Sequence, residues 1–177
     1  MTELRLVTPR IALKDSFADA LREDPGIDQF KKLDPDYVRN NFEAWYRDRH
    51  DLSIPVILPN GTQVARVKHS DFWLTDGKKF LGALSLRHTL GNENLKKYGG
   101  HIGYMVRKSE RRKGYGALML QLALPHAKAL GLEKVLVTCS DDNTGSARII
   151  EKAGGVLEGK VFEPGADIPK RRYWISL

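Results

Sequence analysis

The 177-residue chain is poor in cysteine and aromatic residues, and it has no long apolar run. Cys139 is its one cysteine, so an internal disulfide cannot form and a reducing cytoplasm is the expected compartment. No apolar stretch approaches the ~20 residues of a membrane-spanning helix. The first ten residues lack the basic-then-apolar layout of a secretory signal. We therefore expect a single cytoplasmic domain over residues 1–177, with no membrane partner.

Acidic residues are also scarce relative to basic ones: 22 Asp and Glu stand against 29 Lys and Arg, a formal net charge of +7. The excess is concentrated between Arg107 and Lys113, where Glu110 is the sole acid. The stretch from Asp15 to Asp36 has the opposite bias. We expect an anionic ligand at the basic cluster. The acidic stretch is interpreted as solvated surface, with a cationic ligand as the alternative.

Hydrophobic periodicity predicts a mixed α/β domain. The predicted order is a strand (3–8), two helices (10–23 and 34–49), a hairpin with an Asp-Gly turn (71–74 and 80–86), a strand (101–107), a helix (114–130), a strand (134–139), a helix (144–153) and two strands (156–163 and 171–176). The segments 53–67 and 88–100 are predicted to be loops, the first with some extended backbone. No repeat or linker divides the chain.

The first motif is Arg111-x-x-Gly114-x-Gly116, which stands between a predicted strand and a predicted helix. Glycines let the backbone adopt positive φ and approach a phosphate closely, and arginines can bind phosphate with two hydrogen bonds. The N-terminus of the following helix adds partial positive charge. The motif is neither a Walker P-loop nor a GxGxxG fingerprint. It predicts a pyrophosphate site, and the alternative is a basic turn with ordinary glycines.

The second motif runs from Asn143 to Gly155 and reads NTGSARIIEKAGG. By itself it is a short helix, with Asn143 as N-cap and Gly154 as C-cap. Together the two motifs, about thirty residues apart, resemble the GNAT superfamily of N-acetyltransferases. The resemblance is continuous from His101 to Gly155 and extends over the whole chain. It is strongest to a bacterial branch of predicted acetyltransferases, on the stretch LRHTLGNENLKKYGGHIGY at 86–104.

The resemblance implies a GNAT fold: a mixed, mostly antiparallel seven-stranded sheet with helices on both faces. The fourth and fifth strands in the order of the family, β4 and β5, correspond to the strands predicted at 101–107 and 134–139. The resemblance implies that these two strands are parallel and splayed apart. The resemblance also implies acetyl-CoA as co-substrate and an amine acceptor, either a small molecule or a peptide. The reaction it implies is direct attack by the amine in a ternary complex.

The resemblance further assigns the cofactor-binding residues. The pyrophosphate is expected on the loop and first helical turn formed by Arg111, Arg112, Lys113, Gly114, Tyr115, Gly116 and Ala117. The backbone of Met105 and Val106 is expected to hold the pantetheine arm, together with the side chains of Asn143 and Ser146. We predict no metal site.

The catalytic residues are less well defined by the resemblance. Many family members have a tyrosine in the last helix as the acid for the thiolate, and Ile150 occupies that position here. Tyr104, Tyr115, Ser146 or water would then supply the proton. The position of the family's general base corresponds to His101, with a structural imidazole as the alternative. Further candidates for the base are His88 and Glu93, and Cys139 is interpreted as a small buried hydrophobe.

A non-catalytic module on the same fold is the rival hypothesis, binding either coenzyme A or nucleic acid. The missing tyrosine keeps the degenerate-enzyme version open. The position of the basic run disfavours nucleic-acid binding, since the run lies in a glycine loop before a helix and has no aromatic cluster beside it. Whether the chain forms a homodimer, and which amine it acetylates, are left open.

Overall fold

The structure of the chain, a computed structural model, describes residues 3–25, 33–58 and 60–177. Within these ranges the strands are β1 (Arg5–Val7), β2 (Val56–Ile57), β3 (Gln63–Val64), β4 (His69–Thr75), β5 (Phe80–Arg87), β6 (Ile102–Val106), β7 (Lys134–Ser140), β8 (Val156–Val161) and β9 (Lys170–Ser176). The α-helices are α1 (Lys14–Glu23), α2 (Pro35–Asn40), α3 (Phe42–His50), α4 (Tyr115–Ala129) and α5 (Thr144–Lys152). None of the described helices is long and apolar enough to cross a membrane.

The main sheet has seven strands, as predicted, and their order is β1-β4-β5-β6-β7-β9-β8. All neighbours are antiparallel except β6 and β7. The parallel pair is therefore β6–β7 and not β4–β5, and the predicted strand numbering is wrong. The reason is that the segment predicted as loop at 53–67 contributes an additional two-stranded sheet, β2–β3, before the main meander. The residues of the parallel pair are those that the sequence predicted.

The parallel pair is joined over a short distance. Ile102 and Val137 are the one register pair between β6 and β7, whereas β5 and β6 pair over five positions. The backbone groups of β6 beyond Ile102 therefore have no ladder on the β7 side. The resulting opening between the two strands is the splay that the resemblance implies.

Each face of the sheet carries its own apolar core. On one face, Phe17 of α1 packs against Trp73 and Phe80, with ring centroids 4.6 and 5.0 Å apart. On the other face, Met119 of α4 and Ile150 of α5 are fully buried against the strands. Helices α1–α3 thus cover one face and α4–α5 the other, because alternate residues of each strand point to opposite sides.

Local sequence signals explain most helix boundaries. The side chain of Asp34 accepts a hydrogen bond from the amide of Asp36 at the start of α2, and Pro35 occupies the first turn. Gly131 ends the α4 segment in the left-handed conformation, with φ of +83°. The helix predicted over 34–49 is wrong in one respect, since it is broken at Asn41 (φ −130°, ψ 37°) into α2 and α3.

Two further segments differ from the predictions. The loop predicted at 88–100 contains a π-helical turn, Leu95–Gly99, which packs against β7. The helix predicted from residue 10 begins at Lys14, after a 3₁₀ turn at Ile11–Leu13. Neither segment has the long apolar periodicity that makes a helix predictable from sequence.

Gly82 allows β5 and β6 to pack closely where it pairs with Val106, at the end of β6. A Cβ atom at this position would lie 2.7 Å from the carbonyl oxygen of Met105 and 2.9 Å from Cε of Met119. We predict that Gly82→Ala lowers the free energy of unfolding by about 1–3 kcal/mol, measured by urea denaturation, because the strand or the core must shift. Gly159→Ala is the control, since a Cβ there meets nothing within 4 Å. Equal effects of the two substitutions would contradict the prediction.

Candidate active site

The loop between β6 and α4 has the backbone shape of an anion cradle. A 3₁₀ turn, Lys108–Glu110, follows β6 and leads into Arg112, whose φ of 66° is positive. Gly114 is also left-handed, with φ of 82°, and α4 begins at the next residue. Left-handed residues between right-handed ones turn successive amide groups toward the same side, which is the geometry of anion-binding nests.

The amide groups of this loop are available to a ligand. None of the N–H groups from residue 112 to residue 117 donates to an acceptor in the described part of the chain. Tyr115, Gly116 and Ala117 form the first turn of α4, whose amides point out of the helix end and add the positive end of its dipole. Six consecutive amides thus offer hydrogen bonds where the sequence predicts the pyrophosphate.

The two glycines of the motif serve different purposes. A Cβ at Gly114 would meet nothing within 4 Å, so a side chain is disfavoured there by the positive φ alone. A Cβ at Gly116 would lie 2.9 Å from Cδ1 of Ile149 and 3.5 Å from the ring of Tyr104. Gly114 therefore shapes the loop, and Gly116 lets α4 pack closely on α5 and β6.

The end of α1 is bound to this loop by ion pairs that the sequence analysis missed. Glu23 accepts hydrogen bonds from Nε of Arg107 at 2.7 Å and from the amide of Ser109 at 3.1 Å. Asp24 pairs with Arg111. Burial opposes the charge on Glu23, but the hydrogen bonds from Arg107 and Ser109 outweigh it and lower its pKa to about 2. Part of the acidic stretch is therefore a partner of the basic cluster, not solvated surface. Asp28, another member of that stretch, lies outside the described residues.

The basic cluster is partly neutralised as a result. Lys113 is held by the buried carboxylate of Glu110 at 2.7 Å, and Lys79 binds the same carboxylate at 2.8 Å. Lys108 and Arg112 are exposed and pair with no carboxylate of the described residues. These two side chains are the cations best placed to meet phosphate, and the sequence alone did not distinguish them from their neighbours.

The strand β6 presents alternate backbone groups to the opening beside β7. Arg107 donates to the carbonyl of Leu81 at 2.9 Å, and in the same antiparallel register Met105 lies opposite Ala83. Bonded residues alternate in such a ladder, so the backbone of Met105 faces β5. The N–H and C=O groups of Tyr104 and Val106 face the opening instead. Of the two residues predicted for the pantetheine arm, Val106 thus directs its backbone groups to the opening and Met105 directs them to β5, while Tyr104 also faces the opening.

The start of α5 lies across the opening from β6. The side chain of Asn143 accepts a hydrogen bond from the amide of Ser146 at 3.0 Å, which caps the helix and leaves the side-chain NH₂ group pointing away from this bond. The hydroxyl of Ser146 lies 2.7 Å from that of Tyr104. The structure therefore brings together two of the residues that the sequence predicts as proton donors, and Tyr115 does not join them.

Burial controls the protonation of two side chains next to the opening, Tyr104 of β6 and Cys139 of β7. Burial raises the pKa of Tyr104 to about 12, against a smaller opposing effect of Ser146, and burial also raises the pKa of Cys139. Both groups stay protonated at neutral pH. They can donate hydrogen bonds, and Cys139 is not activated as a nucleophile.

His101 joins β6 to β7 at the point where the strands begin to separate. Its amide donates to the carbonyl of Leu136 at 2.7 Å, and its Nδ1 accepts from the Leu136 amide at 2.9 Å. With Nδ1 as acceptor, the neutral ring carries its hydrogen on Nε2, so neither nitrogen is free to take a proton from a substrate. Burial, helped by the charge of Arg87, lowers the pKa of His101 to about 4. This arrangement favours the structural alternative for His101.

A cleft of about 420 Å³ opens between the β2–β3 hairpin, the π-helical turn and the connection from β8 to β9. Glu93, Tyr98 and Glu163 are among its lining residues. The hydroxyl of Thr138 donates to the carbonyl of Tyr98 at 2.8 Å, which attaches this wall to β7. Glu93, a candidate base, therefore lines a cleft, whereas Nε2 of His88 lies 2.8 Å from the hydroxyl of Ser70, away from it.

Comparison with known families supports the resemblance found in the sequence. The model of the acetyltransferase (GNAT) domain matches residues 3–156. No curated protein sequence matches the chain significantly.

Solved structures establish the fold independently. The yncA protein of Salmonella typhimurium, solved with its cofactor acetyl-CoA, is 13% identical, with a TM-score of 0.64 and 98% of this chain and 94% of that one covered. The ribosomal-protein-S5-alanine acetyltransferase of Vibrio fischeri is 14% identical, with a TM-score of 0.65 and coverage of 99% and 94%. The spermidine/spermine N-acetyltransferase SpeG of Vibrio cholerae is 16% identical, with a TM-score of 0.63 and coverage of 98% and 95%. At such identities the likeness concerns the fold alone.

The buried bond between His101 and Leu136 predicts a dependence of stability on pH. The pKa of His101 is lower in the folded chain, at about 4, than its ordinary value of about 6.5. The unfolded chain therefore binds more protons between these values, and stability falls as the pH drops through them. We expect this group to contribute a loss of up to about 3 kcal/mol.

Urea denaturation at several pH values checks this expectation. Between pH ~6.5 and ~4, the free energy of unfolding of His101→Gln should fall less steeply than that of the wild type. The difference in slope should correspond to about one bound proton. His126→Gln is the control, since His126 lies exposed on α4. A decline of unchanged steepness in His101→Gln would refute the structural role.

Proposed function

The chain belongs to the GNAT acetyltransferase family, and we propose that it transfers the acetyl group of acetyl-CoA to an amine by direct attack in a ternary complex. Acetyl-CoA is the co-substrate of this family. The observation that carries the proposal is the cradle at residues 112–117, whose six amides donate to no acceptor among the described residues and lie beside the opening between β6 and β7.

The residues of the cradle and of β6 fit coenzyme A. The amides of residues 112–117 would bind the pyrophosphate, and Lys108 and Arg112 would supply countercharge. The backbone of Tyr104 and Val106 would pair with the pantetheine arm as a neighbouring strand would. The side-chain NH₂ group of Asn143 is a further donor at the edge of the opening.

Acetyl-CoA supplies the thioester that the acceptor attacks as a neutral amine. The proton of the acceptor's ammonium group must therefore pass to a base or to water before the attack. The chain must stabilise the charge that develops on the thioester oxygen, and the outward-facing amides of β6 are suited to this because they are fixed in the sheet. A proton must also reach the departing sulfur. We assign this step to the Tyr104 hydroxyl, which stays protonated at neutral pH, with Ser146 holding it in place.

The acceptor is proposed to be a cationic amine that enters through the cleft. Glu93 and Glu163 line this cleft, and carboxylates attract ammonium groups. Lys96 and Lys170 each hold one of these carboxylates at 2.8 Å, so the acceptor would compete with them for the carboxylates. The names of two structurally similar enzymes give a protein alanine and the polyamines spermidine and spermine as their acceptors. Both are amine classes, which supports the class of the acceptor here.

A nucleic-acid-binding module is disfavoured by the charges of the loop. Arg107, Arg111 and Lys113 are each paired with a carboxylate of the chain. A phosphate backbone would have to displace these partners to gain the contacts that dominate such affinities. The cradle instead offers a compact set of amides, which suits one pyrophosphate better than a polymer.

We predict that Gly114→Ala weakens acetyl-CoA binding at least tenfold, measured by calorimetry, because a side chain disfavours the left-handed backbone that directs the amides. The matched control is Gly131→Ala, at the other end of the α4 segment. Gly131 has nearly the same φ, and a Cβ there also meets nothing within 4 Å. Both variants should lose similar stability, while Gly131→Ala keeps its affinity. Equal affinities in the two variants, or no binding by the wild type, would contradict the cradle.

The role assigned to Tyr104 predicts that Tyr104→Phe lowers kcat about 10²-fold, with little change in KM for acetyl-CoA. The measurement is CoA release under single-turnover conditions. It uses the best acceptor found among amines, polyamines, aminoglycosides and peptides. Tyr115→Phe, at the first position of α4, is the control and should retain kcat. A larger loss in Tyr115→Phe than in Tyr104→Phe would move the role to Tyr115.

A further inference from the structure

Two histidines and an aspartate converge on one point where α3 ends against β4. His50 is the last residue of α3, and His69 and Asp71 belong to β4 on the face that the helix covers. Their ligand atoms all lie within 4.8 Å of one another. Asp71 is buried, and 8% of the His69 side chain and 29% of that of His50 are exposed.

Hydrogen bonds to the backbone orient both imidazole rings. Nδ1 of His50 lies 2.9 Å from the carbonyl oxygen of Tyr46, and Nδ1 of His69 lies 3.1 Å from that of Val67. A carbonyl oxygen only accepts, so the hydrogen of each neutral ring is on Nδ1. Each Nε2 of the neutral rings therefore carries a lone pair and lies close to Oδ2 of Asp71. Both atoms are then acceptors, so a proton or a metal ion must lie between them. Metal-binding histidines are held in the same way, by a hydrogen bond from the second ring nitrogen.

The distances from Asp71 to the two imidazoles are close to those around a tetrahedral metal ion. Oδ2 of Asp71 lies 3.6 Å from Nε2 of His50 and 3.5 Å from Nε2 of His69. Bonds of about 2.0–2.1 Å from zinc to nitrogen and oxygen, at the tetrahedral angle, place neighbouring ligand atoms about 3.3–3.4 Å apart. Small shifts of the side chains would therefore suffice to close the site on an ion.

We propose that His50, His69 and Asp71 bind a divalent transition-metal ion of the zinc type, with the fourth position left to water. Two imidazoles and one carboxylate select zinc, cobalt or nickel over magnesium and calcium, which prefer oxygen ligands. The ion would link the end of α3 to β4 and so fix the helical layer on that face. This site differs from the expectation of no metal site, because the β2–β3 hairpin separates His50 from the other two ligands in the sequence.

Arg49 belongs to the surroundings of this site and limits its affinity. Its guanidinium binds both oxygens of the Asp71 carboxylate. An oxygen of a ligating carboxylate can accept a hydrogen bond and still bind metal, which is the usual arrangement around such ligands. The positive charge of Arg49 opposes that of the ion, however. We therefore expect micromolar affinity, weaker than that of a zinc site without a neighbouring cation.

Calorimetric titration of the untagged, chelator-treated full chain with zinc chloride tests the proposal. The wild type should bind one ion per chain, and the double variant His50→Gln/His69→Gln should bind at least tenfold more weakly. His126→Gln, exposed on α4, is the matched control and should bind as the wild type does. Absence of binding by the wild type, or equal affinity of the double variant, would overturn the proposal.

Two further measurements do not depend on the double variant's folding. Cobalt(II) should give the visible absorption of a tetrahedral site in the wild type and lose it in His50→Gln, whose side chain is partly exposed. Zinc in large excess over its dissociation constant should raise the Tm of the wild type by a few degrees and leave that of His50→Gln unchanged. An equal shift in both chains, or the same shift with magnesium, would show that the ion binds elsewhere.

Discussion

The short junction between β6 and β7 is the constraint on which the rest of the site depends. The strands meet at Ile102 and Val137, and His101 adds two hydrogen bonds to Leu136 beside that pair. Beyond this point the backbone groups of β6 on the β7 side have no strand to bind. An unpaired strand edge inside a sheet is costly unless something satisfies it. An extended ligand arm with amide groups, as in pantetheine, supplies what the missing ladder would have supplied.

The cradle extends the same principle to the end of β6. Amides 112–117 are left without acceptors because Arg112 and Gly114 turn the chain through the left-handed region before α4 begins. The cations around them are mostly neutralised by carboxylates from α1 and from the loop itself. Phosphates bound at the proposed site would therefore contact fixed backbone dipoles more than flexible lysines, and fixed dipoles need little reorganisation when charge arrives.

Periodicity in the sequence was sufficient to predict the seven main strands, and the resemblance to the GNAT superfamily predicted the sheet that they form. The Gly114-x-Gly116 spacing predicted the turn before α4, because glycine at positive φ is a local signal. The sequence was insufficient wherever distant segments meet. The Glu23–Arg107 pair joins residues 84 positions apart, and the hydrogen bond of His101 to Leu136 spans 35. A histidine at the family's base position looks catalytic in a linear sequence. The structure shows that the Leu136 amide donates to Nδ1 of this histidine, so that Nε2 carries the hydrogen of the neutral ring.

Both apolar packing and ion pairs attach the helical layer of α1–α3 to the sheet. Its centre is apolar, where Phe17 packs on Trp73. Its edges are held by charge, through the Glu23–Arg107 pair at the cradle and the Arg49–Asp71 pair below α3. A partly buried ion pair gives little net stability but is costly to break by moving one partner, so it fixes position better than it adds free energy. The layer can therefore hold the cradle loop and β4 in one arrangement, while the outward-facing amides of β6 stay accessible to a ligand.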